Sequence, residues 1–166
     1  MREKYFTMEK KSDEWYTPKE IINLLGPFET DPCAPVEPLF RTAKIMYNKN
    51  DDGLSKEWKG RVFLNPPYSQ PLLDQFMCKM AEHGRGIALL FNRCDSRMFR
   101  QYVLEKATAI FFLYKRIRFL YPDGKIGSSP RCGNILVAYG REEAEFLKDI
   151  PLEGKYVSLI YNLMFP

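Results

Sequence analysis

The chain has 166 residues, is 45% apolar and carries a net charge of +4. That length suits one domain with a sizeable core, and the ordinary apolar content excludes a disordered chain. No apolar run approaches the roughly 20 residues that cross a bilayer, so no membrane association is expected. Cys33, Cys78, Cys94 and Cys132 form no CxxC pair, and no signal peptide stands ahead of them. Reduced thiols in a cytoplasmic protein are the expectation.

In chain order, Pro18 to Leu25 predicts a short helix with Thr17 as N-cap and Pro18 at the first helical position, stopped by Gly26-Pro27. A compact, loop-rich stretch follows from Asp31 to Gly53. Val62 to Leu64 predicts a buried strand, and Leu72 to Ala81 has helical apolar spacing through Leu73, Phe76, Met77 and Met80. Gly84 and Gly86 end that helix, and the single histidine, His83, is expected as a solvated cap there, which leaves no histidine-rich metal site. Ile87 to Phe91 is a second strand, Ser96 to Glu105 a helix, and Ala109 to Tyr114 a third strand. This βαβαβ rhythm implies an α/β fold with a mainly parallel sheet, right-handed crossovers and helices on both faces. Ile117 to Tyr121, the turn Pro122-Asp123-Gly124-Lys125, and Asn134 to Tyr139 predict an antiparallel pair at the sheet edge. The acidic stretch from Glu142 to Glu153 predicts a solvated helix or edge. No repeat, linker or second domain is visible.

Directly after the strand at Leu64 stand Asn65, Pro66, Pro67 and Tyr68. The prolines lock their own φ near about −65° and push the preceding residue out of helical geometry, so the segment is stiff. Neither proline has an N–H, which leaves the carbonyls of Asn65 and Pro66 able to face a ligand, and the Asn65 side chain adds an acceptor. Two acceptors gripping the hydrogens of an exocyclic amine such as adenine N6 favour a tetrahedral nitrogen and aim its lone pair. Tyr68 adds a face on which a base can stack, worth roughly 1–3 kcal/mol. A strand ending in a Pro-Pro turn with Tyr68 capping the core is the alternative. Ligands bind beyond the carboxyl ends of strands in parallel sheets, and Asn65 falls at one.

The positive charge is local. Residues 93–141 hold ten Lys and Arg against three Asp and Glu, interleaved with Phe111, Phe112, Tyr114, Phe119 and Tyr121. That combination suits a polyanion with stackable bases, with a solvated charged surface as the alternative.

With these residues in place, the chain resembles the amino-methylating DNA methyltransferases, specifically the short phage-type N6-adenine (Dam-like) family, over roughly residues 13–140. Asp13, Glu14, Trp15, Tyr16, Thr17 and Pro18 look like the family's opening segment. Asp31, Pro32, Cys33 and Ala34 are similar to its acidic first cofactor motif. Asp51, Asp52, Gly53 and Leu54, with Trp58 and Gly60, match the stretch leading into the catalytic motif, which is Asn65 to Tyr68 with Ser69. Arg116, Ile117, Arg118 and Phe119, then Ser129, Pro130 and Arg131, resemble the closing hairpin. The resemblance implies a Rossmann-like S-adenosylmethionine-dependent fold and methyl transfer to adenine N6 in DNA after base flipping, with neither metal nor covalent intermediate. It places the cofactor at Thr17, Pro18, Asp31, Pro32, Cys33, Ala34, Asp52 and Asn65. The catalytic residues it implies are Asn65, Pro66, Pro67 and Tyr68.

DNA would be drawn to Arg97, Arg100, Lys115, Arg116, Arg118, Lys125 and Arg131, with Phe119 or Tyr121 packing on the flipped base. The chain departs from the family pattern where Pro35 and Pro38 replace closely spaced glycines after Asp31. It has no separate target-recognition domain, so specificity would be short or shared with a dimer partner, and either a monomer or a homodimer is compatible. Three other readings share the tetrapeptide or the fold: methylation of adenine in RNA or single strands, methylation of a protein glutamine amide, and a non-catalytic nucleic-acid binder.

Overall fold

The computed structural model describes residues 16–160, so Asp13, Glu14 and Trp15 of the expected opening segment lie outside the described residues. The elements are helix α1 (Lys19–Leu25), strands β1 (Thr30–Asp31), β2 (Ile45–Met46) and β3 (Val62–Leu64), helix α2 (Leu72–His83) and strand β4 (Gly86–Phe91). A π-helix (Phe99–Leu104), β5 (Ala109–Leu113), β6 (Asn134–Tyr139), α3 (Arg141–Lys148) and β7 (Gly154–Ser158) complete the order. The strands form one seven-stranded sheet in the order β2-β1-β3-β4-β6-β5-β7. β1 pairs in parallel with β2 and β3, and β3 in parallel with β4 in the register Val62↔Gly86, Phe63↔Ile87 and Leu64↔Ala88.

Strand alternation divides the core into two layers. Val62, Leu64, Ala88, Leu90, Ile135 and Val137 face α2 and the π-helix, where Leu73, Phe76, Met77, Met80, Phe99 and Val103 meet them. Phe63, Ile87, Leu89, Phe111, Leu136 and Ala138 face α1 and α3, against Ile22, Leu25, Ala144 and Leu147. Helices therefore cover both faces, as expected. Each fully buried Leu, Ile or Phe contributes on the order of 1.5–3 kcal/mol, which makes these layers the main source of stability.

The expected parallel βαβαβ direction holds from β3 through β5, since β4 and β5 are both antiparallel to β6 and so run the same way, but β4 and β5 are not neighbours. β6 inserts between β4 and β5 and runs antiparallel to both, and β7 runs antiparallel to β5. Asn134 to Tyr139 is antiparallel, as expected, but lies inside the sheet instead of at its edge: a strand buried on both faces reads as one apolar run wherever it sits, so it carries no local mark of its place. The expected edge pairing of Ile117 to Tyr121 with that segment is likewise overturned. The segment folds on itself instead: Leu120 bridges Ile126 and Tyr16, and the Tyr121 N–H donates to the Lys125 carbonyl at 2.9 Å.

Three local expectations also change. Thr17 does not cap α1. Pro18 occupies the cap position with ψ 142°, and its carbonyl accepts the N–H groups of Ile21 and Ile22 at 3.1 and 3.2 Å. The ring leaves Pro18 without an N–H of its own, and the extended ψ puts it half inside the helix, which moves Thr17 one residue outside. The helix expected over Ser96 to Glu105 has a wider i→i+5 turn, with the Glu105 N–H on the Arg100 carbonyl at 3.2 Å. His83 is half-buried, with its Nε2 2.7 Å from the Gly60 carbonyl, rather than a solvated cap.

Nor is the acidic stretch merely solvated. Glu143 in α3 is buried and pairs with Arg61, just before β3, at 2.6 Å. The Arg61 guanidinium also donates to the Leu25 and Pro27 carbonyls and lies over the rings of Phe28 and Phe146, 4.6 and 4.8 Å from their centroids. One cation thus ties the end of α1, the start of β3 and α3 together. Removing a single partner from such a pair strands a buried charge, at about 3–5 kcal/mol. Glu143→Ala is expected to destabilise the fold by that amount in urea unfolding, whereas Glu142→Ala, whose partner Arg85 is exposed, is expected to change it by less than about 1 kcal/mol.

Candidate active site

Between β1 and β3 the chain order reverses: β2 lies on one side of β1, and the chain returns to lay β3 on the other. In open α/β sheets such a reversal opens a crevice beyond the carboxyl ends of the strands. Asp31 ends β1, and Asn65 follows the last residue of β3. A cleft of ≈ 470 Å³ opens there, lined by Pro32 to Pro35, by Asn48, Lys49, Asp52, Gly53 and Leu54, and by Asn65 to Ser69 with Leu72 and Phe76.

The tetrapeptide is held at two points. The Asn65 side-chain amide donates from Nδ2 to the Thr17 hydroxyl at 3.3 Å, which sets Oδ1 as the acceptor end of the amide. Thr17 is itself buried, and Tyr16 beside it exchanges backbone hydrogen bonds with Leu120 at 3.3 and 2.8 Å. At the other end, the Tyr68 hydroxyl accepts the Phe91 N–H at 2.9 Å where β4 stops, and its ring packs 4.4 Å from the Phe91 ring. Burial pushes the Tyr68 phenol well above its ordinary pKa, against the opposing Phe91 N–H and the nearby Arg93 charge, so the group stays a neutral anchor. The Pro66 carbonyl accepts no backbone N–H among the described residues.

The opposite wall is a loop braced from below. The Trp58 indole donates to the Gly53 carbonyl at 2.8 Å, and the Lys79 ammonium donates to the Leu54 carbonyl at 2.6 Å while lying 5.1 Å from the Trp58 ring centroid. A Cβ on Gly53 would stand 2.1 Å from the Pro32 carbonyl oxygen, so this wall approaches the β1 loop as closely as backbone allows. Asp52 before it takes a left-handed φ of 54° and is exposed at the cleft.

Asp31 plays a different part. It is 2% exposed and does not line the large cleft; Oδ1 accepts the Cys33 N–H at 3.0 Å, and Oδ2 accepts the Thr42 hydroxyl. Burial raises its pKa from 3.8 to about 6, against the opposing bonds from Thr42 and Cys33. With Tyr16, Thr17, Cys33 and Asn65 it borders a second cavity of ≈ 20 Å³, on the order of one water molecule. Burial and the Asp31 charge push the Cys33 thiol up as well, which keeps it protonated.

Of the residues expected to hold a cofactor, Pro32, Cys33, Ala34, Asp52 and Asn65 meet in the large cleft, while Thr17 and Asp31 stand behind it. Pro18 lies elsewhere, in a groove with Lys115, Arg116 and Arg118. The basic residues are exposed in separate groups. Arg97 pairs with Asp74 at 3.0 Å beside Tyr68, Lys115 with Glu153 at 2.8 Å, and Lys125 with Asp123 at 3.0 Å. Arg116 donates to the Pro130 carbonyl and Arg118 to the Gly127 carbonyl, at 3.0 and 3.3 Å, and Arg100 and Arg131 are exposed. Phe119 is 3% exposed, with its ring edge-on to Phe91, so it presents no face for a base. The alternation Ile117 in, Arg118 out, Phe119 in was the sequence signal for that burial. Sequence reasoning passed over Thr42, Asn48, Phe91 and Arg93. Among these, Phe91 alone had a signal, as the last residue of an apolar strand run.

An α/β protein with a rigid, acceptor-bearing strand end at a cleft is the class these features define. The family model for DNA N-6-adenine-methyltransferase (Dam) matches residues 4–143, and the chain belongs to that family. It is an enzyme, and the family's activity is methylation of adenine at N6 in DNA. No curated protein and no solved structure matches the chain. Among the described residues no group of three or more His, Cys, Asp or Glu could hold a metal ion, and no helix is long and apolar enough to cross a membrane.

The raised Asp31 pKa sets a direction for stability. Between 3.8 and about 6 the folded protein holds a proton that the unfolded chain has released, so stability falls as pH rises through that window and levels off above it. Asp31→Asn keeps an acceptor for the Cys33 N–H and is expected to flatten this part of the profile. Thermal unfolding of both proteins between pH 4 and pH 7 measures it.

Proposed function

We propose that the cleft beside Asn65 binds S-adenosylmethionine and that the Asn65–Tyr68 turn presents the N6 of a flipped adenine to it. The chain acts as one Rossmann-like methyltransferase domain, as a monomer or a homodimer, in the cytoplasm where DNA is reached. The turn itself is the observation that carries this reading, because Thr17 and Phe91 hold its two ends at the rim of a cleft large enough for a cofactor.

The cleft suits the donor in its chemistry as well as its size. Leu54, Leu72 and Phe76 offer apolar surface for an adenine ring, and Asn48 and Asp52 offer polar atoms for ribose hydroxyls. Pro32 to Pro35 form the wall nearest Asn65, and the close approach of Gly53 to Pro32 takes over the narrowing that closely spaced glycines provide elsewhere. When bound, S-adenosylmethionine supplies an electrophilic methyl group on a sulfonium.

The chain's own residues handle the base. Asn65 Oδ1 and the Pro66 carbonyl accept the two N6 hydrogens, drawing the nitrogen toward tetrahedral geometry with its lone pair directed into the cleft. Tyr68 stacks on the ring, its plane set by the Phe91 N–H and the Phe91 side chain. After transfer the extra proton passes to water. No strong base is required, because orientation alone supplies several kcal/mol. Flipping costs a few kcal/mol, offset by stacking and by phosphate contacts from Arg97, Arg100, Lys115, Arg116, Arg118, Lys125 and Arg131.

Asn65→Ala is expected to fold and bind S-adenosylmethionine while losing methyl transfer to DNA by two orders of magnitude or more, on the order of 3 kcal/mol of barrier. Transfer of labelled methyl groups to duplex DNA measures the loss, and a variant that still transfers at the parent rate overturns the role of Asn65.

A further inference from the structure

Tyr68 is a wall shared by two clefts. Besides the large one, it borders a second of ≈ 410 Å³, lined by Gln70, Leu73, Asp74, Phe91, Arg93, Ser96, Arg97 and Met98. The charged side chains there are Asp74, Arg93 and Arg97, and they are not equivalent. Asp74 sits 3.0 Å from Arg97 and offsets part of its charge. Arg93 forms no ion pair among the described residues, so it carries the uncompensated charge of this cleft.

The backbone beneath Arg93 is firmly placed. Its N–H donates to the Phe91 carbonyl at 2.8 Å, and its own carbonyl accepts the Ser96 N–H at 3.2 Å and the Ser96 hydroxyl at 3.0 Å. The preceding N–H, from Asn92, donates to the Gly133 carbonyl at 2.8 Å. Phe91, which anchors Tyr68, is two residues away, and the Arg93 charge acts on the Tyr68 hydroxyl. A long, exposed guanidinium on a rigid turn, beside the residue on which the base stacks, has the chemistry of a phosphate contact.

We propose that Arg93 binds a backbone phosphate of the target strand next to the flipped adenosine, with the second cleft holding the flanking nucleotide. This rests on the reading of Asn65 and Tyr68 as the adenine site. One nucleotide then spans the Tyr68 wall, its base on the Asn65 side and its neighbouring phosphate on the Arg93 side. Arg97, held by Asp74, lies beyond it, so among the described residues the unpaired cation beside Tyr68 is Arg93.

The test is binding of a duplex oligonucleotide over a series of salt concentrations by the full chain, Arg93→Ala and Arg93→Lys, with S-adenosylmethionine calorimetry as the check on folding. Arg93→Ala is expected to lower the slope of log affinity against log salt by about one, with weaker binding across different sequences. Arg93→Lys is expected to restore the slope, since either cation releases one counterion, and cofactor affinity is expected to stay unchanged in both. An Arg93→Ala slope equal to the parent's overturns the proposal, as does an Arg93→Lys slope equal to that of Arg93→Ala. A parent chain that binds S-adenosylmethionine and methylates DNA while Arg93→Ala matches it throughout sinks this contact alone. A parent chain that methylates no DNA removes the reading beneath it as well.

Discussion

Parallel pairing of β1, β3 and β4 is the constraint on which the rest of this molecule depends. It brings the carboxyl ends of these strands to one rim, so Asp31, Asn65 and Phe91 come to the same side of the sheet although they are far apart in sequence. The direction change at β1, with β2 on one side and β3 on the other, keeps the rim open at one place. A close-packed sheet offers few other places where backbone can approach a ligand without leaving polar groups unpaired.

Rigidity at that rim comes from contacts made between elements. The Pro-Pro step stiffens the turn locally, but its orientation is set by the Thr17 hydroxyl from the N-terminal segment and by the Phe91 N–H at the end of β4. The facing loop is braced by Trp58 and Lys79, the latter reaching across from α2. Each bond is worth only about 1 kcal/mol net, yet together they leave the turn and the loop little room to move, which is what catalysis by orientation requires. Arg61 and Glu143 do the corresponding work at the opposite end of the sheet, where a buried pair joins three elements.

Much of this was legible in the chain. Apolar spacing located α2 closely, and continuous apolar runs located β3 and β4 to within a residue, because a helix with one face in the core repeats at its own pitch and a strand buried on both faces is apolar throughout. Pro66 and Pro67 act through their own rings, so the stiffness of the turn could be read directly. The helix-cap reading gives Thr17 the wrong partner, since its hydroxyl accepts from Asn65; only the resemblance marks it as a site residue. Phe119 and the basic residues rest on composition and on the resemblance, and neither distinguishes a ring in the core from one on the surface, or a paired cation from a bare one. β7 left no sequence mark, since as an edge strand it buries only part of its surface.

The sequence by itself determined the two-layered α/β character, the stiff acceptor-rich turn after β3 and the local excess of positive charge. These follow from backbone sterics and apolar periodicity, which act between residues close in the chain. Only the tertiary structure decided the insertion of β6 between β4 and β5, the buried state of Asp31, the anchoring of Tyr68 by Phe91 and the uncompensated charge of Arg93. Each of these depends on which distant groups share a low-dielectric or hydrogen-bonding environment. Chain folding sets that environment, and no local pattern records it.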